Sequence, residues 1–471
     1  MLKYQKYARY FKYVFAAAPA LACLFLVLRY GVNTVISDEW VMVILGQKAQ
    51  NGALTFADLW MPFNEHRHFF FRLLYLAVAF LTKFNAKAQM MVSFAMVCAA
   101  YFCMVRYLFS KVGDEIRRCA GGFVLGLLMF SPAQWHNFTY GGLLGFIMAD
   151  ALPPISIYFL YRRISGGKRR YLVFALALGV VASFSSLQGL LVWPAALAML
   201  ALHYRKAVFR QPLAAVWLGT GAASWILYFY GLYDALPYGS RAPLGEHLSS
   251  AIKHPLSFLY QITRTAVAPF FDRIGLLSLQ IIGAVCMLAI AVVVALFGFR
   301  LITRYTEEGF IPGALALFGL MAVVLVTLGR QGWDMNSDSR HTTATLLLYV
   351  GTVLYALVNL DVIKNGVKVK TKSLRRTAAG LLAAIVLASA IAWPEGFVVC
   401  RIVRESSIVS YAAALKEYKT ATDAALLIYG PPPFGHAEDY TAQEVRELAR
   451  FLEENGYSVF AGAVTSPRPP R

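Results

Sequence analysis

The sequence predicts an all-α protein: a polytopic helical membrane protein with about 11–13 membrane helices and a small extracytoplasmic C-terminal tail. Three observations carry this. First, 59% of the 471 residues are apolar and only 15% are charged, with a mean hydropathy of +0.57. Soluble domains run at roughly 45–50% apolar and about 25% charged, so a soluble globular enzyme and a disordered chain are both excluded. Second, apolar runs approaching the roughly 20 residues of a helical span recur along the chain. Third, the formal net charge of +19 is confined to six short stretches between those runs. Residues 3–12, 106–118, 162–170, 205–210, 300–308 and 361–376 hold 24 Lys and Arg against 5 Asp and Glu, and the remainder is formally neutral. That is the pattern of cytoplasmic loops under the positive-inside rule rather than the basic face of a nucleic-acid binder. No nucleic-acid partner is expected.

Runs at 12–29, 88–108, 143–161, 212–230, 275–299, 310–329, 342–360 and 377–393 approach crossing length, and those at 68–84, 120–133, 171–183, 190–203 and 257–271 are shorter. Backbone polar groups cannot stay unpaired in lipid, so every full span must be helical. The first thirty residues join a basic start to an apolar core with no small-residue cleavage signature, which reads as a retained first span. The six cysteines include no C-x-x-C pair, and neither a disulfide nor a metal site is inferred from them.

Charge alternation threads the chain. With 3–12 cytoplasmic, the first span delivers Ser37-Asp38-Glu39-Trp40 to the outer face, while the loops 106–118 and 162–170 lie inside. Only 68–84 and 88–108 separate the acidic pair from the first of those loops, so one of them does not cross. The run 68–84, short and carrying Arg72 and Lys83, is expected to lie in the outer interface or to dip in and return. The stretch 171–203 leaves a basic loop and returns to one, and is therefore two helices meeting near 183–189. Irregular backbone there is tolerated only where it is buried in protein or lines a wet cavity. The amphipathic run 257–271, with Gln261 and Arg264, reads as a surface helix. The last span ends near Trp393-Pro394-Glu395, which divides the chain into a membrane domain, 1–394, and an extracytoplasmic α/β appendage, 395–471. In the appendage Thr441-Ala442-Gln443-Glu444 is a capping box, Gly456 stops the helix, and 457–460 reads as a short strand.

Residues that are costly to bury gather on the outer side. The loop 31–68 carries Asp38-Glu39-Trp40, Asp58-Leu59-Trp60 and Asn64-Glu65-His66-Arg67-His68. Adjacent carboxylates just beyond a span can supply a general base or a metal ligand where a lipid-borne substrate meets a water-borne one; the pattern also fits acidic residues beside aromatic interface anchors. His66 and His68 share a face only in extended chain, and Arg67 has the fork geometry to grip a phosphate; an interfacial cap is the alternative. Trp135-His136-Asn137 offers a histidine to tune a carboxylate or bind a hydroxyl, or is a polar turn at headgroup level. Arg330 and Arg340 flank a compact outer loop and can clamp a lipid phosphate with Asp334 and Asp338 orienting them, or pair internally. Asp150 lies inside a span beside Pro153-Pro154, and an intramembrane carboxylate is a functional hypothesis by default.

Together these residues resemble the GT-C superfamily of polyprenyl-phosphate-sugar-dependent membrane glycosyltransferases. They are similar, within it, to a bacterial subgroup with Asp/Glu-Trp, Asn-Glu-His-Arg, Trp-x-Asn, a Ser-x-x-x-Gly-Leu-Leu-x-Trp-Pro turn and a Ser-Arg-Tyr turn. Here those fall at Asp38-Glu39-Trp40, Asn64 to Arg67, Trp135-His136-Asn137, Ser185 to Pro194 and Ser339-Arg340-His341, over about residues 1–360. Two positions depart from the pattern: His341 replaces the Tyr, and His136 stands where an acidic residue is expected.

The resemblance implies a GT-C-like fold and an inverting transfer in which an acceptor hydroxyl attacks C1 of the donor sugar. Asp38 or Glu39 would be the general base, and Arg340, Arg330 and Arg67 would stabilise the leaving phosphate. Glu65, His66, Arg67, Trp135, His136, Asn137, Gln188, Arg330 and Arg340 make up the implied substrate-binding set. Some members use a divalent cation, Mg2+ or Mn2+, for which Glu65, His66 and His136 are candidate ligands. The implied partners are a polyprenyl-phosphate sugar and a cell-envelope glycan or glycolipid acceptor. The implied setting is the bacterial cytoplasmic membrane, with the N-terminus cytoplasmic and the C-terminus outside. A lipid-linked glycan transporter or flippase would instead use Asp150 and the break at 183–189, with its key polar groups near midplane. A non-catalytic envelope-assembly protein would use the same outer loops to hold a glycan.

Overall fold

The computed structural model describes residues 2–232, 244–271, 298, 302–303, 305–329, 339–365, 371–430 and 440–462, and among these the chain is helical with no strand. Among the described residues seven helices are long and apolar enough to cross a membrane: Ala86–Lys111, Gly141–Ile164, Leu187–Arg210, Pro212–Phe229, Glu307–Gly329, Ser339–Asn359 and Ala383–Lys416. The protein is therefore a multi-pass, membrane-embedded helical protein. Seven is fewer than the 11–13 that the apolar runs suggest, and length accounts for part of the difference. At 1.5 Å per residue the apolar helices Phe69–Leu81 and Arg170–Ser183 reach only about 20 Å of a roughly 30 Å hydrocarbon core. The run at 275–299 lies outside the described residues.

In chain order the helices are α1 (Leu2–Tyr30), α2 (Glu39–Gln50), α3 (Phe56–Trp60), α4 (Phe69–Leu81), α5 (Ala86–Lys111), α6 (Glu115–Met129), α7 (Trp135–Thr139), α8 (Leu144–Ile164), α9 (Arg170–Ser183), α10 (Val192–Tyr204), α11 (Pro212–Phe229), α12 (Leu244–Lys253) and α13 (Pro255–Phe271), followed by Phe310–Gly329, Thr342–Asn365, Thr371–Val403, Val409–Lys416, Asp423–Leu427 and Ala442–Asn455. The most enclosed spans are α8 and the start of Thr342–Asn365; α11 lies at the periphery. The expected meeting of two helices near 183–189 is present. α9 stops at Ser183, a 3-10 turn covers Leu187–Leu191, and α10 begins at Val192. The turn is tight enough that a Cβ on Gly189 would run into the Ala182 carbonyl, and the Trp193 indole N–H donates to Ser183 Oγ at 2.8 Å across it.

Three apolar clusters result among the described residues. The largest joins α1, α5, α6, α8 and α10 to Phe310–Gly329 and Thr342–Asn365, and a small one packs Leu191 and Ala195 against Phe318, Ala322, Ala344 and Leu347. The remaining one gathers Val35, Trp40, Val41 and Leu45 with Tyr75 of α4 and with Tyr411, Leu415, Leu426, Val445 and Leu452 of the C-terminal segment. The expected α/β appendage is thus corrected in two respects. It is helical among the described residues, and it shares a core with the loop that carries the acidic pair. The helix Thr371–Val403 continues through Pro394; proline removes a single N–H, and helices in membranes accommodate that loss. The capping box forms, Thr441 Oγ1 accepting from Glu444 N while Thr441 N donates to Glu444 Oε2 at 2.7 Å, and Gly456 ends the helix at φ +62. Residues 458–460 form a 3-10 turn rather than a strand: Ser458 N bonds to the Lys83 carbonyl at 2.9 Å, and among the described residues there is no strand to pair with.

Candidate active site

The acidic pair sits where α1 gives way to α2, and a positive φ of 47° at Ser37 turns the chain. Asp38 occupies the N-cap position of α2 yet makes no side-chain cap bond, although capping is the usual use of aspartate there. Its half-buried carboxylate instead lies within electrostatic range of Arg340 and His136. Burial raises its pKa above the ordinary value, and those two groups pull it part of the way back. Glu39 has a different environment. It is fully buried, with Oε1 accepting from the Tyr75 hydroxyl at 3.1 Å and Oε2 from the Ile36 N–H at 3.2 Å. Burial lifts its pKa to about 8 despite those donors, and the neighbouring Asp38 charge adds to the rise. Gly141 makes room for this side chain, since a Cβ there would stand 2.5 Å from Glu39 Oε1.

Two motifs far apart in sequence close over Asp38. Asn137 Nδ2 donates to the Arg340 carbonyl at 3.1 Å and to Thr343 Oγ1 at 2.7 Å, and His136 N donates to Ser339 Oγ at 3.1 Å. The Trp-His-Asn turn and the Ser-Arg-His turn are therefore one unit. Tyr140 stacks on His136 with centroids 5.3 Å apart and donates its hydroxyl to the Ile36 carbonyl at 2.9 Å, tying that unit to the acidic loop. Trp135 stacks on the other side of His136 at 4.9 Å. Below, Thr343 Oγ1 donates to Gln134 Oε1 at 2.5 Å. Gln134 and Thr343 line a cavity of about 10 Å3 with Asp150, space for one water. Asp150 is fully buried, and the Gln188 side chain and the Ala344 N–H are its polar neighbours.

The segment 64–68 behaves otherwise. It is non-helical, with Asn64 at φ +50, as binding through both histidines requires. However, its side chains are committed to neighbouring backbone. His66 Nδ1 accepts from Leu187 N at 3.3 Å and lies 3.2 Å from Ser186 Oγ, while Nε2 faces Glu65 Oε1 at 3.6 Å. His68 Nδ1 meets the Ser185 carbonyl at 2.5 Å; burial and the nearby His66 and Arg72 hold this imidazole's pKa well below the usual value. Arg67, offered by the sequence as a phosphate clamp, donates instead to the carbonyls of Tyr228 at 2.6 Å, Trp60 at 3.1 Å and Tyr230, and lies over the Trp60 ring. It closes the C-terminal end of α11, whose last carbonyls have no helical donors. Arg72 does the same for α3 through Asp58, Leu59 and Met61. The carboxylate of Asp58 caps α3 and pairs with Lys48 at 2.6 Å.

The structure thus brings Asp38, Glu39, Trp135, His136, Asn137 and Arg340 together, joins His66 and His68 to the break at 185–187, sets Glu65 beside His66 and places Arg67 at the end of α11. Arg330, Asp334 and Asp338 lie outside the described residues. Among the described residues no three His, Cys, Asp or Glu side chains converge as metal ligands. Sequence reading missed Tyr75, Tyr140, Thr343, Tyr411 and Tyr429. The last two hold the site from the C-terminal side: Ser37 N donates to the Tyr429 carbonyl at 2.9 Å, and Trp40 Nε1 reaches that carbonyl at 3.0 Å and Tyr411 Oη at 3.1 Å. The only signal for them is the aromatic content of the tail.

No protein-family model matches this chain, and no curated protein matches it.

Proposed function

We propose that this protein is an integral-membrane glycosyltransferase of GT-C type. It moves a sugar from a polyprenyl-phosphate donor to a hydroxyl of a cell-envelope glycan or glycolipid on the extracytoplasmic face of a bacterial cytoplasmic membrane. The observation that carries this reading is the unequal use of the acidic pair. Glu39 is locked by two donors, whereas Asp38 leaves its helix uncapped and lies within electrostatic range of Arg340 and His136. In this reading Asp38 takes the proton of the acceptor hydroxyl as its oxygen forms the new bond to C1, and the C1–O bond to phosphate breaks with inversion. A carboxylate whose pKa is raised by burial is a stronger base at neutral pH. Arg340 stabilises the charge that develops on the departing phosphate. Arg67 is committed to carbonyls and is not assigned that role, and no step is routed through a metal. A transporter reading draws support from one observation, Asp150 buried beside Gln188 at the helix break, and the same experiment separates it.

The test is sugar transfer by purified wild type and Asp38→Asn from a panel of synthetic polyprenyl-phosphate sugars, with binding of each lipid measured in parallel. Wild type is expected to transfer from one donor. Asp38→Asn should bind that donor equally and transfer roughly a hundred- to ten-thousand-fold more slowly. Equal transfer by both removes Asp38 as the base. Binding without transfer by wild type favours a carrier or assembly protein.

A further inference from the structure

At the far end of the bundle from Asp38 lies a cavity of about 710 Å3 between α1, α5 and α8. Gln89 of α5 packs beside Glu39 and Gly141, and Tyr107 lines the cavity. Eighteen residues of helix separate the two, roughly 27 Å, close to the thickness of a hydrocarbon core. Three cations line this space: Arg106, Lys111 and Arg162. Arg106 Nε and Arg162 Nη1 both donate to one phenol oxygen, that of Tyr158, at 3.1 and 3.2 Å. Two guanidinium groups are thereby gathered around a neutral oxygen. Among the described residues neither has a carboxylate partner, whereas Lys111 has Glu308 at 3.4 Å. Holding two unneutralised cations together costs repulsion, which an anion between them would relieve. Ser110 and four tyrosines share the wall with an apolar side made by Ala16, Ala17, Phe102, Val105 and Phe109, and Phe102 is 62% exposed on the outside of the bundle. The cavity therefore continues from a cationic floor onto a surface that lipid chains cover.

We propose that this cavity binds the phosphate headgroup of an anionic membrane lipid, at the membrane face opposite the candidate active site. The cationic floor fits a phosphate and the apolar side fits the first methylenes of an acyl chain, so a diacyl phospholipid is taken rather than free phosphate. The site uses none of the residues assigned to sugar transfer, and its occupancy stands or falls separately from that reading.

Native mass spectrometry of the full-length protein in detergent tests this, with titration of phosphatidylglycerol, phosphatidylcholine and inorganic phosphate. Wild type should retain phosphatidylglycerol and not phosphatidylcholine. The Arg106→Gln/Arg162→Gln double variant should bind phosphatidylglycerol at least about tenfold more weakly, the loss of two charges at a membrane surface. Lys168→Gln/Arg169→Gln, which removes two exposed cations from the adjacent loop, should bind as wild type does. Arg106→Lys/Arg162→Lys keeps the charge without the fork and should fall between, which covers the case in which the glutamine variant fails to fold. Equal loss in the loop variant, or no loss in the cavity variants, overturns the proposal. Displacement of the lipid by millimolar inorganic phosphate alone overturns the lipid assignment and leaves a soluble phosphate site.

Discussion

The two ends of this bundle hold their charges differently. At the Asp38 end donors converge on a carboxylate, the Tyr75 hydroxyl on one oxygen of Glu39 and the Ile36 N–H on the other. At the other end two arginines converge on the neutral oxygen of Tyr158. The acidic end is also wrapped by the protein's own C-terminal segment, whereas the basic end stays open to a large cavity. A charge enclosed by its own chain has its partners fixed at folding, as Glu39 has, and Asp38 stands outside that arrangement. A charge left facing the membrane must find its partner there. The contrast predicts that the acidic end governs stability and its pH dependence, and the basic end governs what co-purifies.

The largest effect should come from Glu39. Its folded-state pKa of about 8 exceeds the ordinary 4.5, so the folded protein binds more protons than the unfolded chain between those values, and stability falls as pH rises through that window. The stability tied to the protonated carboxyl is complete below about pH 4.5 and lost by the time pH passes about 8, up to about 5 kcal/mol in all. Glu39→Gln mimics the neutral form. Thermal unfolding in detergent from pH 5 to 9 should show a declining Tm for wild type and a much flatter one for Glu39→Gln. Parallel declines would break the claim that this carboxyl is held neutral.

A smaller effect is expected at Trp40, fully buried with its N–H between the Tyr429 carbonyl and the Tyr411 hydroxyl. Trp40→Phe leaves both acceptors facing a ring edge, at a cost of about 1–3 kcal/mol. Limited proteolysis should then cut the C-terminal segment faster. Retention of phosphatidylglycerol at the far end should be unchanged; if it falls too, the two ends are not independent.

How much of this was legible in the sequence depends on the range of the interaction. The helical membrane class follows from composition and the spacing of charge, because lipid permits few backbone solutions. The break at 183–189 and the capping box at Thr441 and Glu444 were legible because each is set by a few neighbouring residues. The pairing of Asn137 with Arg340 and Thr343 was not, since it spans more than two hundred positions, although both motifs were singled out separately. The different surroundings of Asp38 and Glu39 were invisible, because they depend on Tyr75 and on a glycine that clears room at 141. Arg67 misled for a related reason. Its fork serves carbonyls as readily as phosphate, and only the proximity of the end of α11 decides which. The tail was misread as an appendage because its apolar residues, dispersed over Ile408 to Phe460, show their common core only when packed on α2.

The smallest effect should come from Lys48 and Asp58. Their ion pair, at 2.6 Å, lies close to the site in sequence but at the rim of the wrapped end, with the lysine 44% exposed. Burial alone would raise the Asp58 carboxyl, but Lys48 and the Thr55 donors outweigh it and hold the pKa below the ordinary value. The Thr55 N–H and hydroxyl bonds, at 2.9 and 2.8 Å, survive removal of the lysine, so α3 keeps its cap. Lys48→Met should therefore cost only about 0.2–1 kcal/mol, and the difference from wild type should shrink further as salt is raised. A salt series of thermal unfolding reads this directly. A loss as large as that of Trp40→Phe, independent of salt, would mean that the wrapped end draws its stability from its exposed rim as much as from its interior, and the contrast between the two ends would have to be redrawn.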